Sequence, residues 1–334
     1  MPAVEPSGAI RVPEKVIPVP TSVSPAAQQV LAMGPITPPT EWPARDDAEA
    51  WRELVRSQNE VVFGALQGML GEDVDVVDAM VDDIRVYVAK TGDVDSEDRR
   101  VYLDVHGGAW AFQGGDVCRL LAMSVARSVH VPVWSVDYRT PPDHPWPQAV
   151  DDCLAVYRAL LHERGAGQIA VGGTSAGGNI AAAMVLKARD QGWPLPAALV
   201  LNTPATDLTA SGDSWRTNAG LDNILTGTES AAMMLYAAGQ DLHHPLVSPL
   251  YGDFSTGFPP TILTTGTRDL LLSDTVRMHR ALRAAGIKAE LHVWEAAGHG
   301  LFLGLAPEDA ERAAEIRLFM EEHWSTTVYD SPDG

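Results

Sequence analysis

The sequence predicts an α/β fold, with an eight-stranded, mostly parallel sheet and helices on both of its faces. Three observations carry this. From Val101 onward, short apolar runs alternate with stretches of helical periodicity. Parallel strands are joined by helical crossovers and covered on both sides, so their runs are apolar throughout rather than alternating. Hydrophobic residues make up 46% of 334 residues, enough for one large core. The first two strand-like runs follow each other with no helix between them, which predicts an antiparallel pair at the start of the sheet.

The elements follow in order. Residues 1–43 are rich in proline, so 1–25 is expected to be extended, followed by a short helix at Ala26–Met33. A helix is predicted from Asp46 to about Met69, with Asp46 and Asp47 at its start and Trp51, Leu54, Val55, Val61, Val62 and Leu66 at roughly helical spacing. It either packs on the domain or lies over a pocket as a lid. Val74–Val81, Ile84–Ala89 and Val101–Val105 read as strands, with a charged turn at Asp93–Arg100. A helix at Asp116–Val129, a strand at Val131–Val136 and a helix at Gln148–Arg164 come next. A strand then leads into Ser175, followed by a helix. Further strands are predicted at Ala197–Leu201, Thr261–Thr265 and Ala289–Trp294, and helices at Leu272–Ala285 and Pro307–His323. Residues 208–240 carry a mixed helical pattern without a strand, and 326–334 reads as a flexible tail.

The formal net charge of −20 argues against nucleic acid and anionic membrane as partners. Two cysteines, Cys118 and Cys153, form neither a disulfide framework nor a metal-ligand spacing, and both are expected to be free packing residues. No run of about 18 apolar residues occurs, so no membrane span is predicted. Met1–Pro20 has no apolar core of a signal peptide, and a cytoplasmic location is the expectation.

The chemistry centres on Gly173-Thr174-Ser175-Ala176-Gly177. A serine between a buried strand and a helix adopts a strained backbone, and small neighbours let the turn close. Serine is a poor nucleophile at neutral pH and needs a base, an orienter for that base and donors for an oxyanion. His299 lies between Gly298 and Gly300 beyond the last strand and is the candidate base. Asp269 is the first carboxylate past the strand Thr261–Thr265 and is the candidate orienter. Asp274 is its rival, though it suits a helix start better, and Glu295 lies too close in sequence to His299 to face it. Gly107 and Gly108, after the strand Val101–Val105, offer unobstructed N–H groups, and Ala176 offers a third. The order Ser, Asp, His with G-x-S-x-G is the α/β-hydrolase pattern.

Several further motifs extend the match from about Val101 to Phe302. His106-Gly107-Gly108, the run Tyr138-Arg139-Thr140-Pro141-Pro142-Asp143-His144-Pro145-Trp146-Pro147, and Gly173-Thr174-Ser175-Ala176-Gly177-Gly178-Asn179 together resemble the hormone-sensitive-lipase-like esterases of bacteria. Thr174, where aspartate is commoner, marks the subgroup with the G-T-S-A-G motif. Ala109 stands where many members have a third glycine, and Leu270 where proline is common. The resemblance implies an α/β-hydrolase domain over 71–325, with a helical cap made of 26–70 and an insertion at about 208–240. It implies hydrolysis of short- to medium-chain carboxylic esters, without cofactor or metal, and homodimers are common in the family. Structural roles are implied for His106, which orients the oxyanion loop, and for Arg139 and Asp143, which hold the loop behind the site. A lactone or amide bond would suit the same three residues. A non-catalytic receptor on this fold would lack the histidine. Trp110, Trp51, Val55 and Met233 are candidate pocket walls, as are Val62, Met69 and Leu235.

Overall fold

The computed structural model describes residues 3–4, 9–12, 14, 16–36, 41–68, 73–95, 97–227 and 230–324. Met69 and the 326–334 tail lie outside them. The main sheet has eight strands: β1 (Val74–Val81), β2 (Ile84–Thr91), β3 (Val101–Val105), β4 (Val133–Asp137), β5 (Ile169–Thr174), β6 (Ala198–Asn202), β7 (Thr261–Gly266) and β8 (Ala289–Trp294). Their spatial order is β8-β7-β6-β5-β3-β4-β2-β1. β2 runs antiparallel to both β1 and β4, and the pairings from β4 through to β8 are parallel. The leading antiparallel pair is therefore joined by a second antiparallel junction. β1 and β2 meet through a tight turn at Asp82–Asp83, which reverses the chain without a crossover.

Helices cover both faces. α3 (Asp116–Val129) and α9 (Pro307–His323) pack on one side, where Ala122, Ala126, Phe319 and Met320 meet Tyr102, Val133 and Ala170. On the other side lie α4 (Gln148–Glu163), α5 (Ala176–Asp190) and α8 (Leu272–Ala284), where Val150, Ile180, Met184 and Leu282 meet Leu103, Val171 and Leu201. Neighbouring residues of β5, Ala170 and Val171, thus enter different cores, because strand side chains alternate between faces. Each fully buried Leu or Ile here contributes about 1.5–3 kcal/mol.

Two N-terminal helices precede the sheet, α1 (Pro25–Ala32) and α2 (Ala48–Gln67). The Ser24 hydroxyl accepts from Ala27 N and donates to Glu308 of α9, fixing α1 to the C-terminal helix. The Asp47 carboxylate accepts from Ala50 N at 3.0 Å and caps α2. In α2 only Trp51 is fully buried, while half-buried residues along its length, among them Asn59, which accepts from Gln113 N, lie against the body. Two further helices, Ser214–Thr217 and Ser230–Ala237, fall between β6 and β7. Among the described residues no helix is long and apolar enough to cross a membrane.

Candidate active site

Ser175 sits where β5 turns into α5, with φ 59° and ψ −122°, a region costly for a residue with a side chain. Its N–H donates to the carbonyl of Asn202 at 2.9 Å, and its own carbonyl accepts from Ala205 N at 3.1 Å. These bonds hold the turn against β6. Gly177 is required by contact: a Cβ there would lie 2.0 Å from the Val105 carbonyl oxygen and 2.4 Å from that of His106. The helix start therefore presses directly on the end of β3.

The chain beyond β3 carries His106, Gly107 and Gly108. A Cβ on Gly107 would be 3.5 Å from the Ser175 Cβ, so this loop lies beside the serine. Among the described residues, no protein acceptor takes the N–H of Gly107 or Gly108. Ala176, at the first position of α5, points a third N–H from the same helix start. The loop is braced from below. Tyr138 Oη donates to the carbonyls of His106 at 3.0 Å and Gly107 at 3.2 Å, and its ring stacks on the His106 imidazole at 4.1 Å. His106 Nδ1 lies 2.9 Å from the Gly107 carbonyl, and burial holds its pKa below the ordinary value, so the ring is neutral and acts as a brace. Ala109, with φ 48°, holds the left-handed conformation that glycine would occupy more easily.

His299 and Asp269 come together from two loops. His299 Nδ1 lies 3.2 Å from Asp269 Oδ1. The Asp269 carboxylate is fully buried and also accepts from Leu271 N at 2.9 Å and Thr265 Oγ1 at 2.7 Å. Its oxygens are satisfied, and one is aimed at the imidazole. Asp274 faces away from this pair: its Oδ2 accepts from Asp207 N at 2.9 Å. Its position in the first turn of α8 matches a helix-start role.

Ser175, His299, Gly107 and Gly108 all line one cavity of about 390 Å³. Its apolar wall includes Trp42, Val62, Phe112, Ile224 and Leu225. Of the seven wall residues expected from sequence, Val62 lines it, five do not, and Met69 lies outside the described residues. Trp51 is fully buried and packs behind Trp42, ring centroids 5.7 Å apart. Trp110 lies in the core, stacked on Tyr236 and donating to Asn179 Oδ1. Met233 belongs to the same core, Val55 stays outside the cavity, and Leu235 packs with Trp51. Helical periodicity marks buried positions, and burial alone does not distinguish core from pocket.

Arg139 and Asp143 hold different partners. Arg139 pairs with the buried Asp152 at 2.5 Å, whereas Asp143 pairs with Arg52 of α2 at 2.6 Å. The segment Tyr138–Pro147 thus braces the His106–Gly108 loop through Tyr138 and α2 through Asp143. Asp222 and Asn223 carried no sequence signal within the mixed helical stretch 208–240, yet Asp222 sits against the loops that carry Asp269 and His299. Asp222 accepts from His299 N, and Asn223 Nδ2 donates to the carbonyls of Val30 and Gly34. Among the described residues, His106, Cys118 and Asp137 bring one polar side-chain atom each within 4.8 Å of one another. Cys118 and Asp137 do not line the cavity.

Residues 102–303 match the family model for the alpha/beta hydrolase fold. The carboxylesterase NlhH of Mycobacterium tuberculosis is 32% identical over 305 residues, spanning 87% of this chain and 94% of its own. Among solved structures, an esterase E25 superposes with TM-score 0.88 at 36% identity, covering 94% of this chain and 99% of that one. An esterase from the bacterial hormone-sensitive lipase family superposes with TM-score 0.79 at 30% identity, covering 91% and 100%.

Proposed function

This chain belongs to the α/β-hydrolase-fold family, in its hormone-sensitive-lipase-like branch, and on that premise we propose that it hydrolyses short- to medium-chain carboxylic esters through Ser175, His299 and Asp269. The observation that carries the reading is the 3.2 Å approach of His299 to the buried Asp269 at the rim of the cavity that also holds the strained Ser175.

Ser175 Oγ attacks the ester carbonyl while His299 Nε2 takes its proton. Asp269, bound to Nδ1, keeps the ring in the required tautomer and stabilises the cation that forms. The N–H groups of Gly107, Gly108 and Ala176 receive the oxyanion, and losing one such donor costs about 3–4 kcal/mol of transition-state stabilisation. His299 then protonates the leaving alkoxide, and water repeats the sequence on the acyl-enzyme. No step calls for a metal or cofactor. α1, α2 and the 208–240 insertion serve as the cap, and Trp42, Val62, Phe112, Ile224 and Leu225 receive the substrate's apolar part.

The test is a fluorophosphonate adduct mapped by mass spectrometry, together with turnover of p-nitrophenyl esters from acetyl to decanoyl. The adduct is expected on Ser175, and Ser175→Ala is expected to lose both labelling and turnover. Equal turnover by Ser175→Ala, or a label elsewhere, would sink this reading.

A further inference from the structure

We propose that Asp222 is a positioning residue of this hydrolytic site, its single buried carboxylate clamping the loop that carries Asp269 to the loop that carries His299 and hanging one wall of the cavity from the same point. This rests on the esterase reading above and adds a group to it.

The geometry is specific. Asp222 is 2% exposed. Its Oδ2 accepts from Leu270 N at 2.9 Å and from His299 N at 3.1 Å. Leu270 follows Asp269 directly, so one oxygen grips the backbone beside the acid and that of the base. Its Oδ1 accepts from Ile224 N at 2.8 Å and Leu225 N at 3.1 Å, and both of those residues line the cavity. The carboxylate is thus a common anchor for three segments distant in sequence. Proline, common in the resembled family at position 270, has no N–H to give, so this tether depends on the chain's own Leu270. The neighbouring Asn223 ties the same point to α1 through the carbonyls of Val30 and Gly34.

Among the described residues, four N–H donors bond this group, an arrangement that suits a carboxylate. The titratable groups acting on it are His299, which favours its charge, and Asp269, which opposes it. Burial outweighs the rest and raises its pKa from the ordinary value. A negative Asp222 stabilises the His299 imidazolium that forms during turnover. It therefore acts on the base in two ways, by holding its backbone and by its charge.

Asp222→Asn keeps the size but removes the charge and turns donors toward donors. Asp222→Ser is the second variant, since its hydroxyl and a water can meet the same N–H groups. Each is assayed against p-nitrophenyl esters across pH, with thermal unfolding recorded, and the low-field imidazole proton of His299 is titrated by NMR. Both variants are expected to lose about 10²-fold in kcat, the scale of a small misplacement of reacting groups. In both, the acid limb of kcat/KM and the His299 titration should move to lower pH. Asn223→Ala, which cuts the tether to α1 and leaves the carboxylate, should leave both where the wild type has them. Wild-type kcat and an unmoved His299 titration in Asp222→Ser would overturn the proposal. So would failure of both variants to fold, which would make Asp222 a folding residue. An inert, unlabelled wild type would instead sink the esterase reading, and the NMR titration would still report on Asp222.

Discussion

Replacing Gly177 by alanine tests whether the serine turn and the His106–Gly108 loop form one packed unit. The added Cβ would lie 2.0 Å from Val105 O, 2.4 Å from His106 O and 2.7 Å from His106 C. All three are backbone atoms at the end of a central strand, so no side chain can swing aside. Real Cβ contacts below 3.0 Å are essentially unknown, so α5 and the end of β3 must part by at least 1 Å. Overpacking of this kind costs about 1–3 kcal/mol. At roughly 2 °C per kcal/mol for a chain of this size, Tm should fall by about 2–6 °C. The larger effect is on catalysis. The parting separates Ser175 and the N–H of Ala176 from those of Gly107 and Gly108, and a displacement near 1 Å costs about 10²-fold in kcat. Steady-state hydrolysis of p-nitrophenyl butyrate and calorimetry read the two effects. Gly64→Ala is the control: it lies within α2 with nothing within 4 Å of the new methyl, and should stabilise by about 0.5–1 kcal/mol. A Gly177→Ala enzyme with wild-type kcat and Tm would refute the reasoning.

Two other outcomes are expected. Asp269→Asn should lower kcat far more than Asp274→Asn, because Asp269 contacts the His299 ring whereas Asp274 bonds Asp207 N, and steady-state kinetics with the reverse ranking would reassign the orienter. Asp274 should also shape stability against pH. Burial, opposed by the bond from Asp207 N, pushes its pKa up to about 8. The ordinary aspartate value in the unfolded chain is about 3.9. The folded value is the higher one, so its stabilising effect is full below about pH 4 and is lost as pH rises toward 8. Denaturant titrations of Asp274→Asn should show a flatter stability profile across that window and a gain over wild type near pH 8. A profile parallel to wild type would contradict this.

How much was legible in the sequence differs between chemistry and shape. The eight strands and their intervening helices could be read, because central parallel strands are uniformly apolar and helices carry their own period. The Ser175 turn was legible for a local reason. Small residues flanking a serine between strand and helix leave room for a sharp turn with close backbone approach, and the observed φ of 59° belongs to such a turn. Asp269 and His299 could be proposed because each follows its own strand, and a parallel sheet gathers the ends of such strands on one edge. Other features had no local signature. Trp51 and Val62 share one helix and one period, yet Trp51 is buried behind Trp42 while Val62 faces the cavity. Asp143 and Arg139 are four residues apart, and their partners, Arg52 and Asp152, lie on different helices. Asp222 touches Leu270 and His299, which are 48 and 77 positions away.

The sequence by itself determined the alternation of strand and helix and the candidate groups for acyl transfer, because propensity, periodicity and side-chain chemistry act over a few residues. Tertiary structure alone decided which side chains face the cavity and which carboxylate lies between the loops of Asp269 and His299. Those outcomes depend on distances between segments far apart in the chain, and the packing of the whole core sets them.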